Sequence, residues 1–294
     1  MDRVRLEDPR YIHERPSYPE QAQSIPGTEK RMRPKADHGE QSYRGTGQLN
    51  GLRVLITGGD SGIGRAVALA CAREGADICF TYLCEDSDAS ETERLIREAG
   101  SAVLAIRMDQ KEQQQCQAVV ARCVEQLGGL EVLINNAAFQ ETYSAFDEIP
   151  ADEFDLAFRT NVDGLFYFSR AALEHLPPGG SIINTTSIQA FKPSVNLAPY
   201  AATKAAIANL ALSLAEEASS RGVRVNGVAP GPVWTPLIPS TFPADKVTEF
   251  GANTLLGRPA QPAEVAPLYV FLASPAASFI TGEIYGITGG EKQL

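Results

Sequence analysis

Tyr200 and Lys204 stand four residues apart in the stretch YAATK, within an alanine-rich run typical of a helix. Residues at positions i and i+4 share one helix face, so this spacing brings a phenol close to an ammonium group. A nearby cation stabilises the phenolate and lowers the pKa of a tyrosine from its ordinary value of about 10. The pair is therefore predicted to donate and accept a proton near neutral pH.

Two further polar residues precede this pair: Ser187 ends a predicted strand, and Asn161 lies in a predicted helix before it. Each residue has an ordinary structural interpretation when it is taken alone. Tyr200 and Lys204 could form an exposed surface pair. The Ser187 hydroxyl could cap backbone, and Asn161 could bond its own main chain. Catalysis is favoured only because all four occur together in a chain that also carries a glycine-rich loop.

That loop follows the first predicted strand and opens the first predicted helix, in the stretch LITGGDSGIGRA. Its residues Gly58, Gly62 and Gly64 permit positive φ angles and a close approach of backbone to a ligand. The helix that begins near Gly62 presents free N–H groups and the positive end of its dipole. Turn chemistry alone explains most glycine-rich loops, but this placement predicts a cradle for a pyrophosphate.

The elements that must position these residues alternate regularly from residue 51 onward. Seven short runs of β-branched and aliphatic residues lie at 53–57, 77–83, 102–107, 131–135, 181–187, 223–229 and 283–288. Helix-length segments separate most of them, and a parallel strand needs such a crossover. Near-continuous apolar strands indicate a sheet that is covered on both faces. The predicted fold class is α/β: a single Rossmann-type, doubly wound, seven-stranded parallel sheet with helices on both faces, spanning 47–294.

Residues 1–46 differ from the rest of the chain. Five prolines alternate with charges of both signs, and neither helical nor strand periodicity is present. Such a segment cannot bury enough apolar surface to fold alone. It is predicted to be an extended or disordered N-terminal arm, and both a disordered leader and an arm packed on a neighbouring subunit remain open.

The charge and residue content of the chain exclude several classes of binding partner. A net charge of −10 argues against nucleic acid and anionic membrane surfaces, which attract basic proteins. Five cysteines without a CxxC pair indicate reduced core thiols in a cytoplasmic protein. No apolar stretch is long enough to span a bilayer, and the first residues lack a signal sequence. His13 and His38 lie in the arm and His175 stands alone, so no metal site and no Ser/His/Asp triad are expected.

Several motifs together carry a resemblance to a known family. The TGxxxGxG spacing at 57–64 is followed by Asp109, NNAA at 135–138, Asn161, Ser187, the YxxxK of Tyr200, and PGPVWT at 230–235. In this order they resemble the short-chain dehydrogenase/reductases over residues 48–294. The residues within these motifs and the charged N-terminal segment resemble those of one branch of this family, the glucose and ribitol dehydrogenases and stress-induced aldehyde reductases. The resemblance implies NAD(P)-dependent transfer of hydride between nicotinamide and a carbonyl or alcohol.

The resemblance also implies roles for individual residues. Tyr200 would protonate the substrate oxygen, which Ser187 would hold, while nicotinamide delivers hydride to carbon. Lys204 would grip the nicotinamide ribose, and Asn161 would anchor a water that relays protons to it. Asp109 would bond the adenine amine. The full set of expected cofactor contacts is Gly58, Asp60, Ser61, Gly62, Ile63, Gly64, Tyr82, Asp109, Asn135, Ala137, Tyr200, Lys204, Pro230, Gly231, Val233 and Thr235.

The choice between NAD and NADP depends on the end of the second strand. NAD-preferring relatives usually carry an acid there to bond the ribose 2′-hydroxyl, whereas this chain has Tyr82. NADP is therefore favoured and NAD remains possible, because Asp60 would repel a 2′-phosphate and Ser61 stands where many NADP users carry an arginine. Arg65 could compensate only if its side chain turned back toward the loop.

Phe139, Gln189 and Trp234 are predicted to line the substrate pocket, within the segments 139–146, 188–191 and 233–256. A long segment with several prolines, such as 233–256, is typical of a lid over a ligand. For the two aromatic residues ordinary packing is the alternative. A mixed polar and aromatic lining suits a modest aldehyde, sugar or polyol.

Three alternatives to a carbonyl reductase remain at this point. The first is an NAD-dependent polyol or sugar dehydrogenase, which would use the same residues. The second is a dinucleotide-binding scaffold or sensor without turnover, and the third is an interaction protein that docks through its arm. A homotetramer is expected, as in many relatives. Apolar residues cover more than half of the circumference of the predicted helix 162–176, as in a helix that a partner subunit buries.

Overall fold

The computed structural model of the chain describes residues 6–291. Its sheet has seven strands in the order β3-β2-β1-β4-β5-β6-β7, and every neighbouring pair is parallel. The strands are Arg53–Ile56 (β1), Asp77–Tyr82 (β2), Val103–Arg107 (β3), Val132–Asn135 (β4), Ser181–Thr185 (β5), Arg224–Pro230 (β6) and Ile284–Ile287 (β7). All seven predicted strands are present, with bounds within two residues of the prediction. The predicted Rossmann-type, doubly wound parallel sheet is confirmed.

The helices alternate with the strands. They are Gly62–Arg73 (α1), Asp86–Glu98 (α2), Gln113–Leu127 (α3), Ala151–Phe158 (α4), Gly164–Ala172 (α5), Ala198–Ser219 (α6), Leu237–Thr241 (α7), Ala244–Val247 (α8) and Pro262–Ala273 (α9). A π-helical segment, Arg159–Asp163, joins α4 to α5. Short 3₁₀ helices lie at Glu29–Arg31, Phe146–Glu148, Ile188–Ala190, Val195–Leu197 and Pro275–Ala277.

Helices cover both faces of the sheet, and alternate residues of each strand face opposite layers. In β1, Val54 and Ile56 pack in a core with α1 and α9, whereas Leu55 packs in a second core with α3, α5 and α6. Because helices cover both faces, the strand sequences are largely apolar and do not alternate between apolar and polar residues. The strand order reverses between β1 and β4, which places a crevice at the carboxyl ends of these strands.

The described part of the N-terminal arm, residues 6–46, packs on its own domain. Tyr18 and Met32 are buried in a small core with Trp234, Ile238 and Val247. The described part of the arm is extended, and its one helical element is the 3₁₀ helix Glu29–Arg31. The arm needs no periodicity of its own, because it contributes single side chains to a core built largely by the segment 233–250.

Among the helices of residues 6–291, none has the length and apolar character needed to cross a membrane.

Candidate active site

The glycine loop between β1 and α1 is a tight turn that only glycine can form. Gly58 and Gly62 have φ angles of 63° and 51°, in the left-handed region that favours glycine. A Cβ atom on Gly64 would lie 1.9 Å from the carbonyl oxygen of Gly58. The loop therefore folds back on the first turn of α1 and leaves its backbone open to a ligand, as a pyrophosphate cradle requires.

The loop is tied to the segment that follows β4. Asn136 Nδ2 donates to the carbonyl oxygen of Gly58 at 3.0 Å. The Thr57 hydroxyl accepts the N–H groups of Asn136 and Ala137 at 2.9 and 3.0 Å. These bonds hold the two loops on either side of the crevice in one arrangement.

A cleft of about 480 Å³ runs from the glycine loop to Tyr200 and Lys204. This volume lies in the ordinary range for small-molecule sites. The predicted residues that line it are Gly58, Asp60, Ser61, Gly62, Ile63, Tyr82, Asp109, Ala137, Phe139, Tyr200, Lys204 and Thr235. The glycine cradle and the cleft that extends from it have room for the predicted dinucleotide.

Several predicted cofactor residues lie behind the lining. The side chain of Asn135 donates to Ser169 Oγ and Asn184 Oδ1, at 3.0 and 2.9 Å, inside the protein, so its neighbour Asn136 faces the cleft instead. Gly231 packs against Thr288, where a Cβ would approach Cα within 2.8 Å. The residues Gly64, Pro230, Gly231 and Val233 support the lining from within the fold and do not form part of it.

Two of the three predicted substrate residues do not face the cleft either. Trp234 is fully buried: its ring lies 4.5 Å from that of Tyr18, and its Nε1 donates to the carbonyl oxygen of Pro34 at 3.0 Å. Trp234 is therefore an anchor for the arm, in keeping with the packing alternative. Gln189 accepts two hydrogen bonds from Ser194 and also lies outside the lining. Phe139 does line the cleft.

Tyr200 and Lys204 lie side by side on α6, as their spacing predicts. Lys204 Nζ is 5.4 Å from the centre of the Tyr200 ring and donates to the carbonyl oxygen of Thr185 at 2.7 Å. Burial raises the pKa of Tyr200 to about 12 and lowers the pKa of Lys204 to about 7. The expected lowering of the tyrosine pKa by the lysine is therefore not seen, because desolvation disfavours the charged form of each group.

Ser187 lies just beyond β5, next to the pair. Its hydroxyl accepts the N–H of Gln189 at 3.1 Å, the structural interpretation that the sequence leaves open. The Ser187 side chain also lowers the pKa of Tyr200, against the burial that raises it. Ser187 does not itself line the cleft.

Asn161 lies in the π-helical segment, a feature often found at functional sites. Its Oδ1 accepts the N–H of Phe139, and its Nδ2 donates to Phe139 O and Thr203 Oγ1 at 2.8 and 3.0 Å. The side chain is buried. Asn161 therefore joins the cleft segment that begins at Phe139 to α6, where Tyr200 and Lys204 stand.

Replacement of this amide tests that positioning role. Asn161→Ala should lower the free energy of unfolding by about 1–3 kcal/mol, because buried groups of Phe139 and Thr203 lose their partners. Asn161→Asp keeps the acceptor for the Phe139 N–H and should retain more activity than the alanine variant. Chemical denaturation and steady-state kinetics of the two variants would show this order, and equal losses would contradict it.

The end of the cleft beside β2 holds acidic side chains. Burial, together with the charge of Glu85, raises the pKa of Asp60 to about 7. Asp60 is thus less charged near neutral pH than its ordinary pKa implies. Arg65 does not compensate from inside the cleft. Its guanidinium donates to Asp60 O, Thr92 Oγ1 and Asp88 O, each at 3.0 Å, on the α2 side.

Some cleft residues were missed in the sequence. Gln110, whose Nε2 donates to Thr160 O at 2.7 Å, lines the middle of the cleft. Gln140, which the predicted pocket segment 139–146 includes without singling it out, also lines it and bonds Thr241 of α7. Ile25, Pro26 and Gly27 of the arm form part of its wall. No periodicity or motif marks these residues, because their positions depend on contacts between distant segments.

A buried ion pair lies within the arm, at the residue that contacts the glycine loop. His38 Nε2 lies 2.9 Å from Glu29 Oε1, and His38 Nδ1 lies 3.0 Å from Glu40 Oε1. Burial alone would lower the pKa of His38, but these two carboxylates raise it to about 9. Burial would raise the pKa of Glu29, but His38 and then Arg65 hold it below its ordinary value.

These shifts predict a pH dependence of stability. Because the folded His38 pKa is raised from about 6.5, its contribution is complete below pH 6.5 and is lost as the pH rises through about 9. The loss should be on the order of 3 kcal/mol. Chemical denaturation of wild type and His38→Gln at pH 6, 7.5 and 9.5 isolates this residue. The stability advantage of the wild type should shrink with pH, and a constant difference would contradict the prediction.

The chain is similar to known proteins over most of its length. A model of the family described as Enoyl-(Acyl carrier protein) reductase matches residues 58–292. The chain is 43% identical to the glucose and ribitol dehydrogenase of Daucus carota over 278 residues, which cover 92% of this chain and 96% of that protein. It is also 43% identical to NADPH-dependent aldehyde reductase 1, chloroplastic, of Arabidopsis thaliana over 272 residues, which cover 90% of this chain and 94% of that protein.

A solved structure gives the same result for the fold. A short-chain dehydrogenase from Burkholderia cenocepacia J2315, in complex with NADP, has a TM-score of 0.77 and 32% sequence identity to this chain. The match covers 83% of this chain and 98% of that chain.

Proposed function

Because this chain belongs to the short-chain dehydrogenase/reductase family of oxidoreductases, we propose that it reduces an aldehyde or ketone with NADPH, with Tyr200 as the proton donor. The resemblance predicted from the sequence is confirmed by the family match and the relatives. One observation carries the proposal for Tyr200: its side chain lies beside the buried Lys204, in the same cleft that the glycine loop lines.

The protonation state of Tyr200 suits the reductive direction. With a pKa of about 12, the phenol keeps its proton at neutral pH and can donate it to a carbonyl oxygen. The proton leaves a phenolate behind. Lys204, with a pKa of about 7, can carry a positive charge beside that phenolate and stabilise it. Ser187, whose side chain lowers the pKa of Tyr200, would hold the same substrate oxygen.

The cofactor assignment rests on the cleft and on the relatives. Backbone N–H groups in the first turn of α1, apart from that of Gly62, whose partner is Glu29, would hold the phosphates. Lys204 would hold the nicotinamide ribose. The bound nicotinamide supplies the hydride. An NADPH-dependent relative and a structure in complex with NADP support NADP(H), as does Tyr82 in place of an acid at the end of β2.

A second candidate is NAD-dependent oxidation of a sugar or polyol. The Daucus carota relative named glucose and ribitol dehydrogenase favours it. Glu85 also favours it, because an acidic group at the proposed adenosine end of the cleft would repel the 2′-phosphate that distinguishes NADP from NAD.

We also propose that the enzyme is cytoplasmic and forms a homotetramer. A cytoplasmic location is supported by five free cysteines, four of which are buried. A homotetramer is supported by α5 and α6, on which Phe166 and Leu212 are 48% and 47% exposed. Partly exposed apolar residues on two helices of the same layer are typical of a face that another subunit covers.

Titration of the purified protein with NADP⁺, NADPH, NAD⁺ and NADH, followed by nicotinamide fluorescence, tests the cofactor. A panel of aldehydes, ketones, sugars and polyols, followed by nicotinamide absorbance, then tests the reaction. We expect tight binding of NADPH and its oxidation by aldehydes. Turnover of NAD⁺ with ribitol or glucose alone would favour the second candidate, and binding without any turnover would favour a sensor.

A further inference from the structure

A short stretch of the N-terminal arm lies along the dinucleotide cleft. Ile25, Pro26 and Gly27 form part of its wall, next to α7. Gly27 fits so closely that a Cβ atom there would lie 2.4 Å from Pro236 O and 3.1 Å from Ser240 Cβ. The arm thus packs against the segment that closes this side of the cleft.

Two residues further along, Glu29 reaches the glycine loop. Its Oε1 accepts the N–H of Gly62 at 2.7 Å, and its own N–H donates to Asp88 Oδ2 at 2.9 Å. Gly62 is the first residue of α1, so its N–H has no partner within the helix. Glu29 is buried, and its carboxylate supplies that partner from a segment outside the Rossmann sheet.

The charge of this carboxylate is offset within the protein. His38 Nε2 lies 2.9 Å from Glu29 Oε1, and both side chains are buried. Glu40 faces the other ring nitrogen of His38. The further charged groups around Glu29 are Arg65, Asp88 and Lys35, whose Nζ donates to Glu29 O at 3.0 Å. A protonated His38 keeps the pair close to neutral. Without it, a buried negative charge would stand at the helix terminus that receives phosphate.

We propose that the arm is a working part of the dinucleotide site. Glu29, held by His38, is a positioning residue that orients the glycine loop through Gly62, while residues 25–27 wall the cleft. The ligand is taken from the proposed function, and the inference rests on it in that respect. Because coupling between two sites is reciprocal, docking of the arm and binding of the dinucleotide should strengthen each other.

Hydrogen exchange on the full-length wild-type protein tests this coupling without activity. Peptides that cover residues 21–40 should exchange more slowly when NADPH or NADP⁺ is added. Peptides from α3, which lies on the opposite face of the sheet, provide the internal control. An arm whose exchange does not respond to a dinucleotide that binds would overturn the inference.

Variants of the arm test the positioning contact itself. Glu29→Ala removes the partner of Gly62, and we expect the Kd for NADPH to rise about tenfold, an ordinary size for coupling between sites. Glu29→Gln keeps an acceptor oxygen and should restore the Kd to within about threefold of wild type. Gly27→Ala, which displaces the wall without a change of charge, should also raise the Kd. Glu20→Ala removes an exposed carboxylate of the same arm and should leave it unchanged.

Steady-state kinetics separate a local effect from general loss of structure. In Glu29→Ala the KM for NADPH should rise, whereas the KM for the carbonyl substrate should change little. A Kd equal to that of wild type in folded Glu29→Ala would overturn the inference, as would an equal rise in both KM values. If Glu29→Ala does not fold, the exchange experiment on wild type decides. Failure of wild type to bind any of the four nicotinamide forms would instead refute the proposed function.

Discussion

Tyr200→Phe is expected to lower kcat for carbonyl reduction by about 10²–10⁴-fold, the usual contribution of a positioned proton donor. The substitution removes only the hydroxyl. The ring keeps its place on α6, beside Lys204 Nζ at 5.4 Å from its centre. The Kd for NADPH should therefore stay within about twofold of wild type, because the lost group acts on the substrate oxygen.

The cleanest measurement is single-turnover oxidation of bound NADPH with a saturating aldehyde. Tyr269→Phe provides a matched control, since it removes a buried hydroxyl that bonds Thr185 Oγ1 at 2.8 Å but does not line the cleft. It should change the rate by less than about tenfold, a loss that one structural hydrogen bond explains. Similar rates for wild type and Tyr200→Phe would remove Tyr200 from the mechanism.

Trp234→Ala is expected to lower the free energy of unfolding by about 3–5 kcal/mol, as is usual when a buried aromatic side chain is truncated. Trp234 is fully buried between the arm and the segment that follows β6. The substitution removes its contact with Tyr18 and its hydrogen bond to Pro34 O. The cavity would open beneath the arm, so limited proteolysis should cut the arm first.

Two comparisons give this second prediction its specificity. Trp234→Phe keeps an aromatic ring beside Tyr18 and loses the Nε1 hydrogen bond, so it should cost less than the alanine variant. Phe279→Ala, at a fully exposed position, should change stability by less than about 0.5 kcal/mol. Urea denaturation followed by circular dichroism would measure all three. A Trp234→Ala protein as stable as Phe279→Ala would mean that the arm is not anchored there.

The parts of the fold that depend on neighbours along the chain could be predicted from the sequence. The seven strands follow from short apolar runs separated by helix-length segments, and each lies where the runs predict. The glycine turn follows from positions where only glycine tolerates the backbone. Tyr200 and Lys204 share a helix face because four residues make about one turn.

Contacts between distant segments could be found only in the tertiary structure. Whether Trp234 faces the cleft or the arm is decided by residues about 200 positions away. Asn136 rather than the predicted Asn135 faces the cleft, because strand pairing selects which one points inward. The pKa of Tyr200 rises because its surroundings exclude water, which the spacing to Lys204 does not reveal. Glu29 reaches Gly62 from an arm without periodicity. Local sequence thus determines backbone shape and spacing, whereas burial and desolvation are collective properties of the packed chain.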